Sequence, residues 1–173
     1  MALDLTHYFI DTIVEKVADD NEAMKIACDL ASHSVTIGGG PFGCVITDQE
    51  YNVVGKGHNM VTINNDPTQH AEVVAIRNAC KQLNTFNLQG LRLYTSCEPC
   101  PMCLAAIYWS RIDTVYYGNT RKDAKDIGFD DDLIYDEINK PLDDRIIPMM
   151  SCSHDYAIKS FQQWSVKSDK TPY

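Results

Sequence analysis

Two short stretches carry residue types at spacings that suit metal-assisted proton chemistry. DPTQHAEVVAIRNAC (66–80) places His70 two residues before Glu72, and SCEPCPMC (96–103) places Cys100 three residues before Cys103. Residues three apart on a helix share a face, so the two sulfurs can reach one point. Pro99 and Pro101 mark a helix start, where the backbone dipole and unpaired N–H groups favour a thiolate. Two soft sulfurs and an imidazole form a zinc ligand set, and catalytic zinc keeps a fourth position open for water. His70, Cys100 and Cys103 supply the three ligands. Glu72 is left beside the metal, where a carboxylate can move protons. A closed structural site is the rival reading: Cys97 extends the spacing to C-x-x-C-x-x-C and would complete a Cys3His set with His70. That set leaves Glu72 idle as a buried charge, which weighs against it. Cys97 is instead expected to end a strand as a small packed side chain.

The elements that position these residues follow from periodicity. Leu5, Phe9, Ile13 and Val17 form a helical stripe over 4–18, and Asn21 is positioned to cap a second helix running to about Ser34. IGGGPFG (37–43) is a turn. FGCVITD and YNVVGKGHN read as a two-stranded hairpin. Asp66, Pro67 and Gln69 have the pattern of a cap, a first-turn proline and a capping box, predicting a helix whose first turns hold His70 and Glu72. GLRLYTS (90–96) is a strand, PCPMCLAAIYWS (99–110) a helix and DTVYYGN (113–119) a strand. IGFDDDLIYDEI then reads as a loop, RIIPMMS (145–151) as a fifth strand and DYAIKSFQQWSV (155–166) as a closing helix. Strands alternating with helices after a hairpin predict an α/β fold: a three-layer α-β-α sandwich around a five-stranded mixed sheet.

The 173 residues suit one domain, and 45% hydrophobic content suits a packed core. With a net charge of −9 the chain repels phosphate backbones, so nucleic acid is not an expected partner. No apolar run reaches transmembrane length, and Met1–Ile10 lacks the features of a secretory leader; no membrane partner is expected. Seven cysteines, an odd number, argue against a disulfide framework and for a cytoplasmic protein. Cys28, Cys44 and Cys80 lie on apolar faces and are expected in the core. His7, His33 and His154 lack ligand partners at useful spacing. His58, next to Asn59, remains open.

His-x-Glu followed by Pro-Cys-x-x-Cys is the known signature of zinc-dependent base deaminases. The chain resembles the cytidine-deaminase-like superfamily and, within it, guanine deaminases of the bacterial type. GGPFG (39–43), NDPTQHAEVVAIRNACK (65–81), LYTSCEPCPMCLAAIYWSR (93–111), GFDDDLIYDEI (128–138) and the terminal Tyr173 carry the likeness. Residues 1–20 fall outside it as a helical extension, with 21–173 the deaminase domain. The resemblance implies hydrolytic deamination of a small purine base, guanine to xanthine and ammonia, with one Zn2+ per subunit. It assigns His70, Cys100 and Cys103 to the metal, and Glu72 to proton transfer. Asn59 and Phe42 become base contacts, and the backbone of Ala71 a further one. It makes Asp131 a proton carrier to the departing amine, although Asp130 and Asp132 are neighbours of the same type. It also implies a homodimer in which the C-terminal segment crosses over and places Tyr173 above the partner's site. Guanosine, or an adenosine or cytosine in tRNA, are alternative substrates; a non-catalytic zinc module is the alternative of another class.

Overall fold

The computed structural model describes residues 16–173. The described residues fall into two compact units, one ending at Asp131 and one beginning at Asp132.

The first unit is built on a sheet of order β2-β1-β3-β4. Strand β1 (Gly43–Thr47) is antiparallel to both β2 (Val53–His58) and β3 (Arg92–Cys97), and β3 is parallel to β4 (Thr114–Asn119). Helix α1 (Asp20–Thr36) covers one face, where Ala23, Ile26, Ala27 and Leu30 meet Val45, Val53 and Tyr94. Helices α3 (Ala71–Leu83) and α4 (Pro101–Ser110) lie on the other: Ala71, Ala75, Ile76, Ala79 and Ile107 pack with Cys44, Ile46, Val54 and Leu93. A one-turn helix α2 (Val61–Asn64) precedes α3, and α5 (Arg121–Asp126) follows β4. Strand alternation explains both clusters. Val45 and Tyr94 point to α1, and Cys44, Ile46 and Leu93 point to α3, because successive side chains leave a strand on opposite faces.

The three-layer expectation holds, with four strands in place of five. The expected fifth strand, 145–151, lies in the second unit and carries no strand there. Pro148 has no N–H to offer a ladder. The Ile146 N–H donates to Glu137 Oε2, and the Arg145 guanidinium donates to the Lys140 and Ile138 carbonyls. That unit consists of α6 (Asp132–Asn139), a 3-10 turn Leu142–Asp144 and α7 (His154–Val166).

Three boundaries also moved. The stripe expected over 4–18 falls mostly on residues outside the described ones; at its end Lys16 bridges to Asn52 and the Val17 N–H donates to the Tyr51 carbonyl, so this end is not helical. Helix α1 is capped by Asp19, whose side chain accepts from the Glu22 N–H, rather than by Asn21. The acidic stretch expected as loop contains α6, and α5 before it has a Thr120–Asp123 capping box. Cys44 is buried as expected, whereas Cys28 is exposed and Cys80 half-buried.

Candidate metal centre and active site

Two helix starts converge beyond the C-terminal ends of β2 and β3. Asp66 does not cap α3. Its carboxylate instead accepts from the Thr68 N–H (2.8 Å), the Thr68 hydroxyl (2.7 Å) and the Gln69 amide (3.1 Å), closing a turn of its own. His70 is therefore the N-cap, in extended conformation, and Glu72 sits in the first helical turn. Helix α4 repeats the arrangement: Cys100 is its extended N-cap, and Pro101 opens the helix. The His70 imidazole makes no capping bond to its own helix, and the Cys100 sulfur faces both Cys103, one turn into α4, and His70 on α3.

His70 Nδ1 lies 3.5 Å from Cys100 Sγ and 3.5 Å from Cys103 Sγ. The three ligand atoms lie within 4.8 Å of one another, the only such group among the described residues. With zinc bonds of ~2.3 Å to sulfur and ~2.1 Å to nitrogen, tetrahedral geometry separates N and S by about 3.6 Å. Donor chemistry and spacing thus both fit zinc. Cys97 stands apart, with its Sγ directed to the Thr120 carbonyl at 3.6 Å and its thiol pushed up to about 11, chiefly by burial. The closed Cys3His arrangement is not formed.

Glu72 is 5% exposed. Its Oε1 accepts from the Thr95 hydroxyl at 3.1 Å, and its Oε2 lies 3.3 Å from Cys103 Sγ. Burial raises its pKa above the usual carboxylate range. The Cys100 thiol is drawn down to about 4, first by a hydrogen bond from Cys103 and then, against the opposing effect of burial, by one from His70. The Cys103 thiol is raised because it donates to Cys100 and is buried. His70 is raised mainly by its bond to Cys100.

Asn59 is 5% exposed and firmly held. Its N–H donates to the Phe42 carbonyl (3.0 Å) and its carbonyl accepts from Ser34 Oγ (2.9 Å). Its side-chain oxygen accepts from the Gly40 and Val61 N–H groups, both at 3.3 Å, which leaves the amide nitrogen as the group to present. Phe42 meets Phe129 edge to face, with centroids 4.9 Å apart. Ala71 is fully buried at the first position of α3. Asp131 pairs with Arg121 Nε at 3.3 Å, while Asp130 pairs with Lys125. Asp132 begins α6, and Tyr173 ends the second unit, 71% exposed. His58 is buried with Nδ1 3.3 Å from the Asn59 carbonyl, outside the ligand group.

Sequence reasoning missed Thr95, Ser34, Arg121 and Phe129. A polar residue at an inward strand position, as in LYTSC, was the available signal for Thr95. Ser34 and Phe129 make contacts between distant segments, and Arg121 meets Asp131 across a ten-residue turn of the chain.

Fold and site together define a zinc-type deaminase scaffold. The chain belongs to the cytidine and deoxycytidylate deaminase zinc-binding family, whose pattern matches residues 17–119. It is similar to the guanine deaminase of Bacillus subtilis, 48% identical over 151 residues, covering 87% of this chain and 96% of that one. The X-ray structure of guanine deaminase from Bacillus subtilis superposes with a TM-score of 0.86 at 46% identity, covering 90% of this chain and 99% of that one. The tRNA-specific adenosine deaminase of Haemophilus influenzae is 38% identical over 99 residues, 57% of each chain.

Proposed function

We propose that the chain is a zinc-dependent guanine deaminase, converting guanine and water to xanthine and ammonia. The observation that carries this reading is the extent of the likeness: the guanine deaminase of Bacillus subtilis is matched over 96% of its length, the tRNA deaminase over 57%. The net charge of −9 also disfavours a polyanionic RNA substrate.

His70, Cys100 and Cys103 would hold one zinc per subunit, which when bound supplies a water acidic enough to ionise near neutral pH. Glu72 Oε2 lies 3.3 Å from Cys103 Sγ, one of these ligands. Glu72 accepts one proton of the attacking water and passes it to a ring nitrogen beside C2, and the proton of the new C2 hydroxyl is then carried to the amine, which leaves as ammonia. Asn59 offers its amide N–H to an acceptor on the purine edge. Phe42, backed by Phe129, packs on the base, and the Ala71 backbone lies beside it. Asp131, on the loop that carries Phe129 and ion-paired with Arg121 Nε, is the proton carrier to the amine.

Assembly belongs to the same reading. Residues 21–173 act as the deaminase domain with 1–20 as an extension. The domain works as a homodimer in which the C-terminal segment crosses to the partner and brings Tyr173 over its site. Large apolar side chains exposed in the single chain support this: Tyr108 and Trp109 on α4, and Ile147, Phe161 and Val166 in the second unit. Among the described residues no helix is long and apolar enough to cross a membrane. The site of action is the cytoplasm.

An ammonia-release screen of the zinc-loaded chain against guanine, guanosine, adenine, cytosine and an anticodon stem-loop RNA tests the reading. Guanine alone should react, with xanthine appearing. Release from guanosine or the RNA without release from guanine refutes it.

A further inference from the structure

Thr95 stands on β3 among residues that face the α3 layer, in register with Cys44 of β1, and is 1% exposed. Its neighbours on that face, Cys44, Ile46 and Leu93, are apolar core. Packing alone would accept valine here, since valine matches threonine in shape and strand preference. The hydroxyl has a different use: it donates to Glu72 Oε1 at 3.1 Å, across 23 residues of sequence. The other oxygen, Oε2, is the one that faces Cys103 Sγ. That second contact needs a thiol proton, and a cysteine bound to metal has none.

We propose that Thr95 is a positioning residue for the catalytic carboxylate: its hydroxyl fixes one oxygen of Glu72 so that the other is presented to the substrate water. The inference rests on the role given to Glu72 under the deaminase reading. A buried carboxylate can rotate about its last torsion, and one fixed oxygen removes that freedom. Such a bond orients the proton-transfer group without touching the base, so its loss should appear in kcat and not in KM.

The zinc-loaded whole protein is compared with Thr95→Val, which keeps the shape and deletes the hydroxyl, and Thr95→Ser, which keeps the hydroxyl. Thr95→Val should hold as much zinc as the parent and turn over guanine about tenfold more slowly, with KM within about twofold; Thr95→Ser should recover to within about threefold of the parent. Isotope-edited infrared difference spectra report the Glu72 carboxyl directly, in metal-free and zinc-loaded protein alike. Its stretching band should shift in Thr95→Val and stay in place in Thr95→Ser. A parent-like kcat in Thr95→Val, a loss confined to KM, or an unmoved band overturns the proposal. If the parent itself leaves guanine untouched, the guanine reading fails, and the infrared shift still decides whether Thr95 holds the carboxylate.

Discussion

Gly57 offers a direct test of whether the sheet sets the spacing of the metal ligands. It lies on β2 beneath the first turn of α3, and a Cβ added there would sit 2.3 Å from the Ala71 carbonyl oxygen and 2.6 Å from the Ala75 nitrogen. Ordinary contact begins near 3.4 Å. The obstacle is helix backbone, which cannot rotate aside, so α3 must retreat by about 1 Å at the end that carries His70 and Glu72. A retreat of that size would displace His70 Nδ1 relative to both sulfurs, which now stand 3.5 Å away at close to a tetrahedral edge, and would misdirect its lone pair. Overpacking of this kind costs ~1–3 kcal/mol. Zinc affinity should fall by about 10- to 100-fold, the scale seen when a ligand's support is disturbed. Turnover should fall by about a hundredfold, as for a 1 Å misplacement at a reacting centre. Gly43→Ala is the matched control. Its Cβ would meet the Ala27 carbonyl oxygen at 2.1 Å and the Ala31 nitrogen at 2.5 Å, on the α1 face. Both variants should lose stability in thermal melts, but only Gly57→Ala should lose zinc in a competition titration with a chromophoric chelator. Parent-like zinc affinity in Gly57→Ala, or an equal loss in Gly43→Ala, would refute the reasoning.

Other expectations are simpler to check. Glu72→Gln should keep its zinc by elemental analysis and lose deamination by at least ~10²-fold; near-parent turnover would remove Glu72 from proton transfer. Cys100→Ala should fail to retain zinc, and a chelator should lower the parent's melting temperature towards that of this variant, because metal bound only by the folded state adds to its stability. Tyr94 gives a pH test. Burial, with the hydrogen bond to Asp20, pushes its phenol up to about 12. Unfolding lets the phenol ionise at its ordinary value near ~10. The unfolded chain thus binds fewer protons in that window, and stability should fall as pH rises from about 10 towards 12. Urea melts of Tyr94→Phe should show a shallower decline over the same range; an identical slope would dismiss Tyr94 as the cause.

The local chemistry was legible in the chain. Two sulfurs three apart, an imidazole two before a carboxylate, and prolines at helix starts are short-range relations, and backbone geometry converts them directly into directions. The three layers were legible too, because periods of two and of about four residues say which side of each element is apolar. Exact helix starts were not. Asp66 had every mark of a cap, yet three nearer donors took its carboxylate and passed the capping position to His70. Nor was the strand count, since 145–151 has strand composition while its Ile146 N–H is taken by Glu137 and Pro148 has none. Distances between elements were also beyond the sequence. The turn of Cys97 towards Thr120 depends on the pairing of β3 with β4, and the reach of Thr95 to Glu72 on how closely α3 packs on the sheet. Closeness is set by side chains on both sides of an interface at once: Gly57 lets Ala71 and Ala75 come in, and only then do an imidazole on one helix and two sulfurs on another stand a metal's width apart.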